Sequence, residues 1–226
     1  PWKPTLGISK IHAKHLISFG VPFQLNSILG LAKDDLLTIF LGKIITFSQI
    51  GYIGWGQKWA LEPLRFFMDS VNKVAFPVYS RLQDHKDKLG KAIEKSLFFV
   101  TYLVYPSVFG IVATVPFIIN IIPRYEKWEP ALPVLYFFAV NSIFSAVSTT
   151  FTNALFATGR QKTVLKLMIF FTSATWVLTY PLVIFLGFIG VAIASAIVSV
   201  SSLITIYFVK KQIPVSVGKS ILGPLF

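Results

Sequence analysis

The stretch "LAKDDLLTIFLGKIITFSQIGYIGWGQKWALEPLRFFMDSVNK", residues 31–73, decides how the rest of the chain is read. It sets Lys33, Asp34 and Asp35 side by side after a long apolar run, and it ends in five more charges. Two parses compete. One carries a first membrane-spanning helix from Lys14 through the charges to Gly42, and a second from about Gln49 to Tyr79. The other stops the first span at Ala32, takes 36–56 as the second, and lays 57–79 on the membrane surface.

The five later charges are Lys58, Glu62, Arg65, Asp69 and Lys73. Their steps of 4, 3, 4 and 4 place all of them on one face of a helix. Their signs alternate, so neighbours along the face stand at ion-pairing distance. Gln57 and Asn72 flank them, and the other face carries Trp59, Leu61, Leu64, Phe67, Met68 and Val71. A helix lying on anionic lipid usually shows one-sided basic charge. An alternating ladder fits a spanning helix that lines a water-filled cavity better, because intramembrane charges gather at such places. A third reading pairs all five with one another and gives them only the task of holding helices together. Pro63, inside the segment, removes one helix hydrogen bond.

Composition supports a membrane setting. Of 226 residues, 54% are hydrophobic and 13% charged, with 22 Phe; soluble chains are nearer one quarter charged. A span takes about 20 mostly apolar residues, and four more are visible at about 93–122, 131–157, 163–186 and 188–209. The expected fold class is an all-α polytopic membrane protein. It has a six-transmembrane-helix bundle over 14–209, a cytoplasmic segment at 1–13, and at 210–226 a cytoplasmic tail or the start of a further segment. The chain begins "PWKPTLG", without Met or a signal-peptide pattern, so it is expected to be a piece of something longer.

The net charge of +12 needs no nucleic acid to explain it. With six spans, fourteen Lys and Arg fall on the side shared by the termini, and Lys43, Arg124 and Lys127 on the other. That asymmetry puts both termini in the cytoplasm. With no Cys there is no disulfide framework and no Cys-based metal site. His12, His15 and His85 lack partners at ligand spacing, so no metal is expected. No Gly-rich phosphate loop is present and no cofactor is expected. The longest loop on the outer side, "PRYEKWEPALP", offers only Glu126 and Glu129, which disfavours a membrane-embedded glycosyltransferase or polymerase subunit. Milder polar stripes recur at Asn141, Ser145, Ser148 and Thr152, at Thr172, Thr175 and Thr179, and at Ser195, Ser199 and Ser202. Such stripes are read as helix-packing surfaces. Asn141 and Asn153 are the exceptions, since a buried amide needs partners.

"DDLLTIFLG" followed by "SQIGYIGWGQKW" resembles the polysaccharide flippases of the multidrug/oligosaccharidyl-lipid/polysaccharide exporter superfamily. "FPVYSRLQDHKDKL" is similar to that family's Phe-Pro-x-x-Ser-Arg-Leu-Gln segment, and "NALFATGRQK" to its Ala-x-Gly-Arg-x-Lys turn. In order, these motifs cover about residues 14–170. The resemblance implies a transporter, not an enzyme, of twelve or more helices in two lobes working by alternating access. This chain is then the C-terminal half, and its partners are the missing N-terminal half, membrane lipids and the cargo. The implied cargo is a polyprenyl-pyrophosphate-linked oligosaccharide crossing the plasma membrane. A small-molecule or drug exporter of the same superfamily is the alternative, and it calls for a more apolar cavity.

On this reading the face of the second span lines the inward cavity. Lys58, Arg65 and Lys73 meet the pyrophosphate through charge-assisted bonds, Arg65 foremost because guanidinium binds bidentately. Glu62 and Asp69 balance the empty cavity, with Gln57 beside them. Asp34 or Asp35 matches the family's Asp, and Lys58 its basic residue. The doubled acid and the Gln57–Lys58 pair depart from the family pattern. The two aspartates point about 100° apart on a helix, and one of them is the candidate for coupling to a proton or sodium ion.

Overall fold

A computed structural model describes residues 10–211 and 213–218. The segment 1–9, the end from 219, and the side chains of His12, His15 and Asp34 lie outside the described residues. The described chain is all helical. α1 (Lys10–Leu31), a π-helical turn (Ala32–Leu36) and α2 (Leu37–Leu41) run on as one rod. There follow α3 (Phe47–Arg81), α4 (Lys86–Ile121), a 3-10 turn (Glu126–Ala131), α5 (Leu132–Ala157), α6 (Gln161–Leu186), α7 (Ile189–Ser201) and α8 (Ile204–Lys210).

The chain turns at 42–46, not at Ala32 and not at Gly56. Thr46 explains where α3 begins. Its hydroxyl accepts from the Gln49 backbone N–H, and the Gln49 side chain accepts from the Thr46 N–H, a reciprocal capping box. From there α3 continues without interruption through the charged segment. The turn after α5 has an equally local cause. Gly159 takes φ +75, a left-handed conformation that glycine adopts without a Cβ penalty. The Arg160 N–H then reaches the Leu155 carbonyl and the Gly159 N–H reaches the Phe156 carbonyl, closing a Schellman motif.

Among the described residues four helices are long and apolar enough to cross a membrane: Lys86–Ile121, Glu126–Ala157, Gln161–Leu186 and Ile189–Lys210. The sequence reading expected six spans. The difference lies in composition. α3 carries five charges within sixteen residues, and the first rod is interrupted by its charge triplet.

Packing nevertheless ties both helices into the bundle. α3 is 35 residues long and α4 is 36, so each reaches about 50 Å at 1.5 Å per residue. They run side by side. At one end Ala75 and Tyr79 share a core cluster with Leu89, Ile93 and Leu97. Further along, Ile53, Ala60, Leu64 and Met68 share a second cluster with Val100, Val108, Val115 and Ile119. The buried seam of α3 also packs against α5. The first rod lies instead on α6, with Phe40 ring-to-ring against Trp176 at 5.6 Å and Tyr180 at 6.2 Å. From the 42–46 turn the two helices therefore diverge, and α5, α6 and α7 form the floor between them.

The chain after α8 folds back. Ile213 and Val217 are buried with Leu89 and Ile93, the Ser216 N–H donates to the Glu94 carboxylate, and the Pro214 carbonyl lies against Gly90.

The α3–α5 contact depends on Gly56. A Cβ there would lie 2.9 Å from the Leu135 backbone nitrogen and 3.2 Å from the Ala131 carbonyl oxygen. Backbone cannot yield as a flexible side chain can. Gly56→Leu is expected to destabilise the fold by about 1–3 kcal/mol or more, read as a lowered thermal unfolding midpoint in detergent, whereas Gly54→Ala, in open space, leaves it near the parent value.

Candidate functional site: a cleft beside the charged face of α3

A cleft of about 380 Å³ opens between the diverging helices. The π turn and α2 form one wall with Lys33, Asp35 and Thr38. α3 forms the other with Gln57, Leu61 and Arg65. The floor is Phe138 and Asn141 of α5, Thr175 and Thr179 of α6, and Val191 and Ser195 of α7. The cleft lies toward the 42–46 end of the bundle, away from the Lys-rich 82–95 end.

The π turn covers Ala32–Leu36, the segment of the charge triplet. A π turn widens the helix and disturbs its i→i−4 ladder, and such turns recur at functional sites. Here the Trp176 indole N–H donates to the Ala32 carbonyl at 3.3 Å. The aromatic contacts of Phe40 hold the same tryptophan. α6 thus supports the irregular turn from behind, while Lys33 and Asp35 face the cleft.

On α3 the expected site residues separate. Gln57, half-buried, and Arg65 line the cleft. Lys58, Glu62, Asp69 and Lys73 are exposed and turn away from it, around the outer side of the same helix. Arg65 is also exposed and stands where the cleft meets the charged face. Helical geometry accounts for this. The residues at 53, 60, 64 and 68 are committed to the core seam, 57, 61 and 65 lie on its flank, and 58, 62, 69 and 73 lie farther round. The ion pairs that the alternating signs suggested do not form: among the described residues none of the five comes within salt-bridge distance of an opposite charge. The reading that confines them to mutual pairing has no support in this geometry.

The floor adds to the reading of the milder stripes. Asn141 and Asn153 do make cross-helix bonds. Asn141 Nδ2 donates to the Ser195 carbonyl at 3.1 Å and to the Ser195 Oγ at 2.8 Å, while its Oδ1 accepts from Ser145 at 3.2 Å. Asn153 Nδ2 donates to Asn72 Oδ1 at 2.8 Å, joining α5 to α3. Ser195, Thr175 and Thr179, read from sequence as packing residues, also line the cleft. Their faces follow from which helices meet at α5, and no local spacing in α6 or α7 encodes that.

An aromatic group closes the 42–46 end. Trp55 stacks on Trp128 at 5.4 Å and 9°, and Tyr52 meets both Trp128 and Phe188. Lys127 Nζ lies 5.3 Å from the Trp128 ring centroid, a cation–π contact. Among the described residues no group of three or more His, Cys, Asp or Glu is placed to hold a metal ion.

Comparison with known proteins places this geometry in context. A family described as polysaccharide biosynthesis protein matches residues 1–133. The lipopolysaccharide biosynthesis protein WzxC of Escherichia coli K12 is 24% identical over 216 residues, covering 92% of this chain and 42% of that protein. An uncharacterized membrane protein in the cps region of Klebsiella pneumoniae is 22% identical over 218 residues, covering 94% of this chain and 44% of that one. The chain thus spans less than half the length of these two relatives. No solved structure matches it significantly.

The Asn141–Ser195 bond is the polar tie between α5 and α7 at the cleft floor. Interhelical bonds of this kind in membrane proteins are worth about 0.6 kcal/mol on average and up to about 1.7. A double-mutant cycle of Asn141→Ala and Ser195→Ala, followed by unfolding in detergent, is expected to return a coupling energy in that range. A coupling of zero removes the bond from the description.

Proposed function

Because this chain belongs to the polysaccharide biosynthesis protein family, we propose that it is one half of a transporter. The whole protein moves a polyprenyl-pyrophosphate-linked oligosaccharide from the cytoplasmic to the outer leaflet of the plasma membrane. α3 carries this reading. It runs beside α4 from end to end, so if α4 crosses the bilayer α3 crosses with it, and by the same reasoning the first rod crosses with α6. That makes six spans with both termini on the basic, cytoplasmic side. The aromatic group at Trp55 and Trp128 then lies near the outer water boundary, where such residues concentrate. Arg65 is ten residues further along α3, about 15 Å deeper.

Charges at that depth cost about 2.5–3.5 kcal/mol each on insertion scales. Five of them on one exposed face cannot be turned to lipid tails. The face therefore meets water, cargo or the second half of the transporter. Its cations at 58, 65 and 73 are seven and eight residues apart, a spacing of about 10–12 Å along the helix. A diphosphate can pass from one to the next, with Glu62 and Asp69 limiting repulsion among them when no cargo is present. Arg65, shared by the face and the cleft, is the central member.

With termini in the cytoplasm, the cleft belongs to the outer half of the bundle, and the charged face continues inward from it. The expected inward cavity becomes a track reaching from cleft to cytoplasmic end. Asp35 lies on the cleft wall, a placement that suits ion coupling.

The test is cargo export in cells expressing the full-length protein. Arg65→Glu is expected to lower export at least tenfold and Arg65→Lys to retain a measurable part, with expression level checked in both. Unchanged export in Arg65→Glu removes the phosphate role. Under imposed proton or sodium gradients Asp35→Asn is expected to lose the gradient response, and an unaltered response ends the coupling assignment. Topology has its own measurement, because the sequence contains no Cys. In single-cysteine variants of the full-length protein on an otherwise cysteine-free background, Asp84→Cys is expected to label from the cytoplasmic side and Tyr125→Cys from outside.

A further inference from the structure

The polar residues of the cleft fall into two groups. One group is ionic: Lys33, Asp35 and Arg65. The other is neutral, and its hydrogen bonds are unevenly used. Asn141 donates to Ser195 and accepts from Ser145. Thr175 donates to the Phe171 carbonyl at 2.8 Å. Thr179, one turn on, has only 1% of its surface exposed, and its hydroxyl is without a partner among the described residues. Across the cleft on α3, the half-buried Gln57 likewise makes no hydrogen bond among the described residues.

A buried hydroxyl without a partner is destabilising, and natural structures seldom leave one unless something else completes it. Thr179 and Gln57 together offer neutral donors and acceptors from the floor and the α3 wall of one cavity. Neither carries charge and both can donate as well as accept, so the pair suits the hydroxyl or acetamido groups of a sugar. Gln57 lies eight residues before Arg65 on the same flank of α3, about 12 Å along the axis. That distance accommodates a diphosphate at Arg65 followed by the sugar bonded to it.

We propose that Gln57 and Thr179 form a sugar subsite that holds the first saccharide of the cargo, toward the 42–46 end of the cleft from the diphosphate. This rests on the flippase reading and adds to it. Arg65 recognises the part of the cargo that every polyprenyl diphosphate shares, and the neutral pair recognises the glycan. Discrimination among glycans therefore arises at least in part in this half of the transporter.

The experiment compares two probes on purified full-length protein in nanodiscs. One is sugar-free polyprenyl diphosphate. The other is the lipid-linked saccharide extracted from native cells in which the protein has been deleted. The parent protein is expected to bind the saccharide-bearing lipid about tenfold more tightly. Gln57→Ala and Thr179→Val, singly, are expected to reduce that ratio severalfold, and Thr179→Ser, which keeps the hydroxyl, to preserve it. An unchanged ratio in both reducing variants overturns the subsite while the flippase reading stands, as does a parent protein that binds the two lipids equally. If the parent binds neither lipid, the flippase reading itself falls. Gln57 lies outside the buried core, so Gln57→Ala keeps the test decisive should Thr179→Val fail to fold.

Discussion

α3 has one apolar seam, and α4 and α5 share it. Ile53, Gly56, Ala60, Leu64 and Met68 are used against α5 and α4. The close approach at Gly56 brings the two backbones together and fixes the rotation of α3 about its own axis. Once that rotation is set, every other face is determined. Gln57 and Arg65 look into the cleft, and Lys58, Glu62, Asp69 and Lys73 look out. The charged face is thus a consequence of the core. No change in the charges alone could move it, and a change in the seam would carry all of them round together.

The first rod answers to a different constraint. It is held by α6, not by α3, through Phe40, Trp176 and Tyr180. Two helices adjacent in sequence are thereby drawn apart, which opens a cavity between them. The π turn sits on the wall so created. Its irregular backbone is compatible with a membrane setting because Trp176 supplies a donor to the Ala32 carbonyl and because the turn borders a polar cleft.

Much of this was legible in the sequence, though unequally. The helical class follows from long apolar runs. The family follows from ordered motifs whose residues have visible physical work, such as the glycine of "NALFATGRQK" in its left-handed turn. The one-sided placement of the α3 charges could be counted from their spacing. What could not be read was the angle between that face and the core, which separates Arg65 and Gln57 from the other four. The spacing also suggested ion pairs that the side chains do not make. Asn141 could be picked out as an amide needing a partner, but Ser195 lies 54 residues away and nothing local names it. Thr179 looked the same as Thr172 and Thr175 in sequence. The π turn has no signature distinguishable from an α-helix interrupted by charges.

The fold-back of residues 213–218 has a practical meaning for anyone handling the molecule. Six residues beyond the last helix seal the start of α4, covering Leu89 and Ile93 and giving Glu94 its amide donor. A polypeptide ended at Lys211 keeps every long helix yet leaves that corner uncapped. A fusion joined before Gly218 disturbs this corner, and a truncation chosen from helix boundaries alone removes part of the hydrophobic interior.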